Sequence, residues 1–471
     1  MKNNYLFLLS LISILSYQSV FAQKKIAPHW TRDLIIYELN PYAFTSPNGA
    51  GEGSGSGNFK SLEAKLPYLE ELGINGIWLA GYCNATNHFC GIKSVYACIR
   101  PDEFDPDLGT GEEFKSMIDE AHGRGIKVFL DVITHGVLNE SPLILKHPDW
   151  FKGESWRMKD FDYDNKEFRE WWIDVWVDYS LNYGVDGYRL DGPNGFESSS
   201  KVLGIWDEIF NQCLAQGDTI LIWPETCRYH FSQWDIRTDK SNIMREFDNV
   251  PRYRCHQISC HDHGMEKSKG NHYAVQGSRG KFIYKLFGFN IPIFMSGEEF
   301  DADQVSLPDQ EKNLFGGGGE GYWLYGSWIQ WEQLKKDKHL DMLNDVKKII
   351  RIKKENSDLI HYDRSQTNIV SLTTYPRLGK IPYARFIPGQ KAILIITNPS
   401  DKEQAKNLNC TIEFPLSAVK MDDYDLFYVT DLWNDSTSVV SKEELLEFQI
   451  NVPADFQKEG GFRVLKIEPK E

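Results

Sequence analysis

From Asp33 onward two hydrophobic rhythms alternate along the chain. Short runs rich in β-branched and aromatic residues read as buried strands: Leu34 to Tyr37, Ile74 to Leu79, Ile126 to Ile133, Val185 to Asp191, Thr219 to Trp223 and Ile291 to Met295. Between them, apolar residues recur every three or four positions over Phe59 to Leu72, Glu112 to His122, Lys166 to Tyr183 and Lys201 to Gln216, which predicts helices. Weaker patterns at Ile243 to Val250 and His256 to Cys260 supply a sixth and a seventh strand. Ala80 to Thr110 reads as a long loop, and Thr134 to Asp164 as a polar, aromatic excursion. Strands alternating with helices in eight units imply an α/β fold, a (β/α)8 TIM barrel. After a helix over Leu340 to Lys354 the texture changes to short alternating segments such as Ala392 to Thr397 and Phe462 to Ile467, the mark of an antiparallel β-sandwich domain. The expected organisation is a leader at 1–22, a barrel at 23–358 with a short insert at about 134–164, and an all-β domain at 359–471, without internal repeats.

One strand breaks its own pattern. Gly184-Val-Asp-Gly-Tyr-Arg-Leu-Asp191 has the apolar residues of a buried strand, yet it carries Arg189 and ends on Asp191. Buried charge is costly unless paired. A structural Arg–Asp pair would satisfy the run; so would a catalytic carboxylate at the C-terminal tip of a barrel strand.

The N-terminus adds a compartment. Lys2, the apolar run Tyr5 to Val20, and small residues at Val20 and Ala22 read as an export signal cleaved after Ala22. The run is short for a membrane span, and no other segment is long and apolar enough to be one. The mature chain is therefore expected in the periplasm or medium. Its 52 basic against 67 acidic residues, a net −15, argue against a nucleic-acid partner. The 14 Trp and 22 Tyr suit sugar faces, although many such rings must be core. Eight cysteines allow disulfides after export without fixing their pairing. Cys227 and Cys260, close in sequence to Glu225 and Asp262, are candidates for neighbours at the barrel mouth, as packed thiols or a disulfide.

Three acids share one architectural position. Asp191 ends strand four, Glu225 ends strand five in Trp223-Pro-Glu225, and Asp262 ends the proposed strand seven. Barrel strand tips converge on one mouth. Glycosidic cleavage uses that grouping: one carboxylate attacks the anomeric carbon and a second, protonated, delivers its proton to the leaving oxygen. A third acid can stabilise the cationic transition state.

On these motifs the chain resembles the alpha-amylase family, glycoside hydrolase family 13. Gly187-Tyr-Arg-Leu-Asp191 is similar to the family's nucleophile motif, which implies Asp191 as nucleophile with Arg189 as charge partner. Trp223-Pro-Glu225 matches the segment of the acid/base, Glu225; His261-Asp262 matches the His-Asp pair, implying a transition-state-stabilising Asp262 and a sugar-binding His261. Asp131-Val-Ile-Thr-His135 looks like the first conserved region, with His135 as its substrate contact. Leu108 to Phe114 and Ile291 to Glu299 agree as well. The resemblance implies an exported, retaining hydrolase of α-linked glucans or oligosaccharides. A transglycosylase on the same site and a catalytically impaired glucan-binding protein are the alternatives.

The departures concern the pocket. His135-Gly136 stands where the family has Asn-His, and Asn194-Gly195 where its amylases carry Lys-His, so the usual calcium site lacks two contributors and no metal or cofactor is expected. Cys260 replaces the Asn before His261. The Gly-Tyr pair that stacks on the reacting sugar has no clean match; Phe89 or Tyr96 stands nearest. Cys255 to His263 has a metal-like composition, but Cys-x4-Cys is not a usual zinc spacing. Gly316 to Gly319 lacks the Gly-Lys-Ser/Thr of a phosphate loop and reads as a loop beyond strand eight. Trp171, Trp172 and Trp176 fall at helical spacing and are expected to pack against the barrel.

Overall fold

Eight parallel strands carry the architecture: β1 (Ile36–Leu39), β2 (Gly76–Leu79), β3 (Lys127–Ile133), β4 (Gly187–Asp191), β5 (Leu221–Pro224), β6 (Ile236–Thr238), β7 (Tyr253–Gln257) and β8 (Ile291–Met295). They pair in the order β5-β4-β3-β2-β1-β8-β7-β6, and β5 lies beside β6, so the series closes on itself as a (β/α)8 barrel. The computed structural model describes residues 28–45, 57–85, 96–155, 158–192, 199–225, 236–238, 253–259, 261, 273–303, 329–361, 367–378, 380–398, 407–454 and 461–471.

Strands covered on both faces read as apolar runs, and here they are. Ile35, Tyr37, Leu39, Val128, Leu130, Tyr188 and Leu190 point outward into the large core shared with the helices. Ile36, Trp78, Phe129, Trp223, Cys255 and Ile293 belong to a separate core inside the ring. Gly187 is fixed by close approach: a Cβ there would lie 1.9 Å from the carbonyl oxygen of Leu221 on β5.

The observed elements correct several expectations. The helix expected over Phe59 to Leu72 is two, Phe59–Glu63 and Leu66–Leu72, because Pro67 has no N–H to bond back to Glu63. The segment read as a loop from Ala80 contains an antiparallel pair, Cys83–Ala85 with Cys98–Phe104. The sixth strand is Ile236–Thr238, three residues with Arg237 in the middle, so no hydrophobic run announces it. The stretch Ile243 to Val250 lies outside the described residues. The seventh strand begins at Tyr253, three residues earlier than expected. The excursion after β3 folds as a three-stranded antiparallel sheet of Gly136–Leu138, Met158–Phe161 and Phe151–Ser155.

Helix Asp337–Glu355 precedes the C-terminal antiparallel sheets. One has six strands in the order Asn368–Ser371, Tyr383–Ile387, Lys391–Thr397, Phe462–Pro469, Leu426–Asp431 and Ser436–Ser441; the other joins Thr373–Tyr375, Leu408–Glu413 and Phe448–Val452. Leu394, Ile396, Ile412, Phe414, Phe427 and Val452 form the core between them. Arg385 ties this unit to the barrel, its Nη1 3.0 Å from the carbonyl oxygens of Phe287 and Gly288.

Trp172 and Trp176 are fully buried on the helix outside β4, where Trp176 stacks on Tyr179 and packs edge-on against Tyr188 of β4, while Trp171 packs against Trp150 of the insert. Cys83, Cys98, Cys213, Cys255 and Cys410 are buried free thiols; Cys90, Cys227 and Cys260 lie outside the described residues, as do Gly316 to Gly319 and the leader.

Candidate active site

Side chains two apart on a strand share a face. Above the apolar layer inside the ring, the same faces therefore carry a polar layer at the C-terminal ends. Glu38 stands above Ile36, Asp131 above Phe129, Asp191 above Arg189, Glu225 above Trp223 and Gln257 above Cys255. Five strands thus contribute polar groups to one mouth.

Arg189 is the centre of this layer. It is 1% exposed, and its Nη1 lies 2.9 and 3.1 Å from the two oxygens of Asp131 and 2.6 Å from Asp191 Oδ1. Its Nη2 lies 3.2 Å from Glu225 Oε1. Glu225 Oε2 accepts from the backbone N–H of Gly192, the residue after Asp191, at 3.3 Å. Two carboxylates on the terminal nitrogens of one planar guanidinium have those oxygens no more than about 8 Å apart. The Arg189 guanidinium also faces the Trp78 ring at 5.3 Å.

A second string of contacts leads away from Asp131. Tyr96 Oη lies 2.9 Å from Asp131 Oδ2, 3.3 Å from Arg189 Nη1 and 3.1 Å from His261 Nε2. His261 Nδ1 lies 2.6 Å from Glu38 Oε1, and Gln257 Nε2 donates to Glu38 Oε2 at 3.4 Å. Both ring nitrogens of His261 are thus engaged by protein groups.

Burial sets the protonation of the site. It pushes Asp191 up to about 7, with help from the Glu225 and Asp131 charges and against the pull of Arg189. The 2.6 Å Arg189 contact to Asp191, against 3.2 Å to Glu225, favours the negative charge on Asp191. His135 Nε2 is 3.9 Å from Asp191 Oδ2, and burial pushes this imidazole down to about 4 despite the Glu225 charge, so it is neutral at pH 7.

Of the residues picked from the sequence, the structure brings together Asp191, Glu225, Arg189 and His135, and His261 stands beside them across Tyr96. Asp262 lies outside the described residues. Glu38 and Gln257 were missed. A lone acid in the apolar run Ile35-Ile36-Tyr37-Glu38-Leu39 was the available signal for the first. In the sequence Asp131 is visible only as part of a motif; its grip on Arg189 is a product of the fold.

A family model described as "Alpha amylase, catalytic domain" matches residues 40–141. Alpha-amylase 2 of Dictyoglomus thermophilum is 24% identical over 437 residues, taking in 82% of this chain and 72% of that protein. The maltogenic alpha-amylase of Bacillus acidopullulyticus is 24% identical over 496 residues, covering 90% and 77%. In fold, the chain is similar to the crystal structure of an alpha-amylase from Geobacillus thermoleovorans complexed with acarbose, with a TM-score of 0.71 at 16% identity over 94% of this chain and 100% of that one. A closed parallel barrel with carboxyls gathered at its strand ends, and relatives of this kind, define a glycoside hydrolase acting on O-glycosyl bonds. By these matches the chain is similar to members of the alpha-amylase family, glycoside hydrolase family 13.

Proposed function

We propose that this protein hydrolyses α-glucosidic bonds in α-glucans or oligosaccharides, with retention of anomeric configuration. The observation that carries the reading is the Arg189 guanidinium, whose two terminal nitrogens hold Asp191 at 2.6 Å and Glu225 at 3.2 Å. A nucleophile and an acid must reach one glycosidic bond, and a retaining pair lies about 5–5.5 Å apart. A shared guanidinium is compatible with that span.

Asp191 Oδ attacks the anomeric carbon while the Glu225 proton passes to the departing oxygen, leaving a glucosyl ester on Asp191. Glu225, now a carboxylate, takes a proton from water; the hydroxide oxygen bonds to the anomeric carbon and Asp191 leaves as carboxylate. Arg189 keeps Asp191 ionised and aimed. Neutral His135 can donate to or accept from a sugar hydroxyl beside Asp191. From its place in the sequence, Asp262 is assigned to stabilise the cationic transition state. Relatives named as amylases support the α-glucan as substrate, and the sequence at 1–22 supports export to the periplasm or medium.

The test is a panel of α-linked gluco-oligosaccharides incubated with wild type and Asp191→Asn, with the anomer of each released sugar recorded. An α product from wild type and none from Asp191→Asn is expected. Binding without cleavage of any α-glucoside, or full turnover by Asp191→Asn, would overturn the reading.

A further inference from the structure

Glu38 is charged chemistry that the double displacement does not use. It sits at the end of β1 with no solvent exposure, and its carboxylate faces His261 Nδ1 at 2.6 Å. Burial raises its proton affinity, and the His261 contact opposes that. A buried acid in this position needs a positive partner or must stay neutral.

Proton accounting along the string fixes the partner. Arg189 can only donate, so its Nη1, whose two hydrogens are shared with Asp131 and Asp191, can meet Tyr96 Oη at 3.3 Å only on a lone-pair side. Asp131, gripped on both oxygens by that guanidinium, is a carboxylate and offers only lone pairs. The single phenolic proton of Tyr96 therefore goes to Asp131, at 2.9 Å. His261 Nε2, 3.1 Å from the same oxygen, must then donate to it. With Nε2 protonated, a carboxylate at Nδ1 calls for a proton there too. Trp78 lies against both side chains, its ring 5.3 Å from the Arg189 guanidinium carbon and in a T-shaped pair with the His261 ring at 5.8 Å between centroids.

We propose that Glu38 is a positioning residue for the hydrolase: its carboxylate holds His261 as an imidazolium, which locks a one-way donor chain from His261 through Tyr96 to Asp131. Among the described residues, the groups facing this chain are Glu38 from β1, Trp78 from β2, Asp131 from β3, Arg189 with Asp191 from β4, Glu225 after β5 and Gln257 from β7. Among the described residues, the four acids Glu38, Asp131, Asp191 and Glu225 are set against Arg189 and His261, and the shortest Arg189 contact is to Asp191. A neutral His261 would put one more negative charge against the departing acid proton.

The proposal rests on the hydrolase reading for its effect on rate, but its core is measurable without substrate. The full-length protein, labelled with 15N in its histidine rings, is examined by NMR, with the His261 signals assigned by their loss in His261→Gln. Both ring nitrogens of His261 are expected to be protonated at pH 7 in wild type. Glu38→Gln preserves shape and an acceptor for Nδ1 but removes the charge, so His261 becomes neutral at pH 7 and its titration moves at least tenfold toward acid in proton concentration. In the same variant kcat falls at least tenfold with KM changed less than threefold, and Glu38→Asp restores the doubly protonated signal. A bare ring nitrogen on His261 in wild type at pH 7 would overturn the proposal, whether or not Glu38→Gln folds. An unchanged spectrum and kcat in a folded Glu38→Gln would overturn it as well. Failure of the hydrolase reading shows separately, as activity retained in Asp191→Asn.

Discussion

Arg189 Nη1 and Asp191 Oδ1 are 2.6 Å apart, joined across a single intervening residue because a strand returns to the same face every second position. Leu190, between them, is buried on the opposite side. Arg189 also holds Asp131 and Glu225. Three carboxylates on one side chain need a fork of donors, which a lysine lacks. Arg189→Lys is therefore expected to lower kcat/KM by about a hundredfold or more, because Nζ cannot serve both ends of the cluster at once. Arg189→Met, which strands buried carboxylates, should also cost about 3–5 kcal/mol of stability. Steady-state kinetics and urea unfolding check the two. Near-wild-type turnover by Arg189→Lys would mean that the fork is not what aligns Asp191 with Glu225.

The role given to Glu225 predicts a dependence on the leaving group. A sugar hydroxyl leaves only with a proton, whereas fluoride leaves as the anion. Glu225→Gln should lose about 10²–10⁴-fold in the cleavage of an α-linked oligosaccharide. With α-glucosyl fluoride the loss in the first step should be much smaller, and added azide should restore turnover by replacing the water that Glu225 would otherwise activate. Equal losses on both substrates would remove Glu225 from the acid role.

Much of the barrel was legible because its strands are apolar on both faces. β3, β4 and β8 stand out from their neighbours, and the acids at the ends of β4 and β5 stand out from those strands. The failures have physical causes. Cys98–Phe104 hides as a strand because Arg100, Asp102 and Glu103 make it read as polar; the arginine pairs with both acids, at 2.6 and 2.8 Å. Pro67 divides a helix whose apolar spacing runs on without a break. Glu38 and His261 are 223 residues apart, and no local pattern couples them; barrel closure, with β1 next to β8 and β8 next to β7, brings them together. Tyr96 could be picked as an aromatic near the cleavage point, but its hydroxyl contacts could not.

Those contacts give Tyr96 a second test. Tyr96→Phe keeps the ring and removes the oxygen between Asp131 and His261. Leaving buried polar partners unsatisfied costs about 1–3 kcal/mol. If the bridge acts on the reacting centre, that appears as a fall of about ten- to a hundredfold in kcat with KM little changed. Tyr96→Ala, which also removes the ring, should raise KM in addition. A Tyr96→Phe enzyme with wild-type kcat would confine Tyr96 to sugar contact.

The buried acids after β8 make the stability of the fold depend on pH in a direction opposite to ordinary carboxylates. Glu299 Oε1 accepts from Tyr37 at 2.9 Å and from Tyr68 at 2.6 Å, while Oε2 has no hydrogen-bond partner among the described residues. Burial pushes this carboxyl from 4.5 up to about 7, against the hydrogen bonds that favour its ionised form. A raised carboxyl binds its proton more tightly in the folded state, so its contribution is complete below about 4.5 and is lost as pH rises toward 7. That interval corresponds to about 3 kcal/mol. Glu299→Gln has the same shape, can accept from both phenols, and never ionises. Urea unfolding should find the variant close to wild type at pH 4.5 and more stable by up to about 3 kcal/mol at pH 8. Glu298, pushed up to about 7 by its own burial, adds the same slope to both proteins and cancels in the difference. A stability difference that stays constant from pH 4.5 to pH 8 would show that Glu299 does not change protonation in the folded protein over that range.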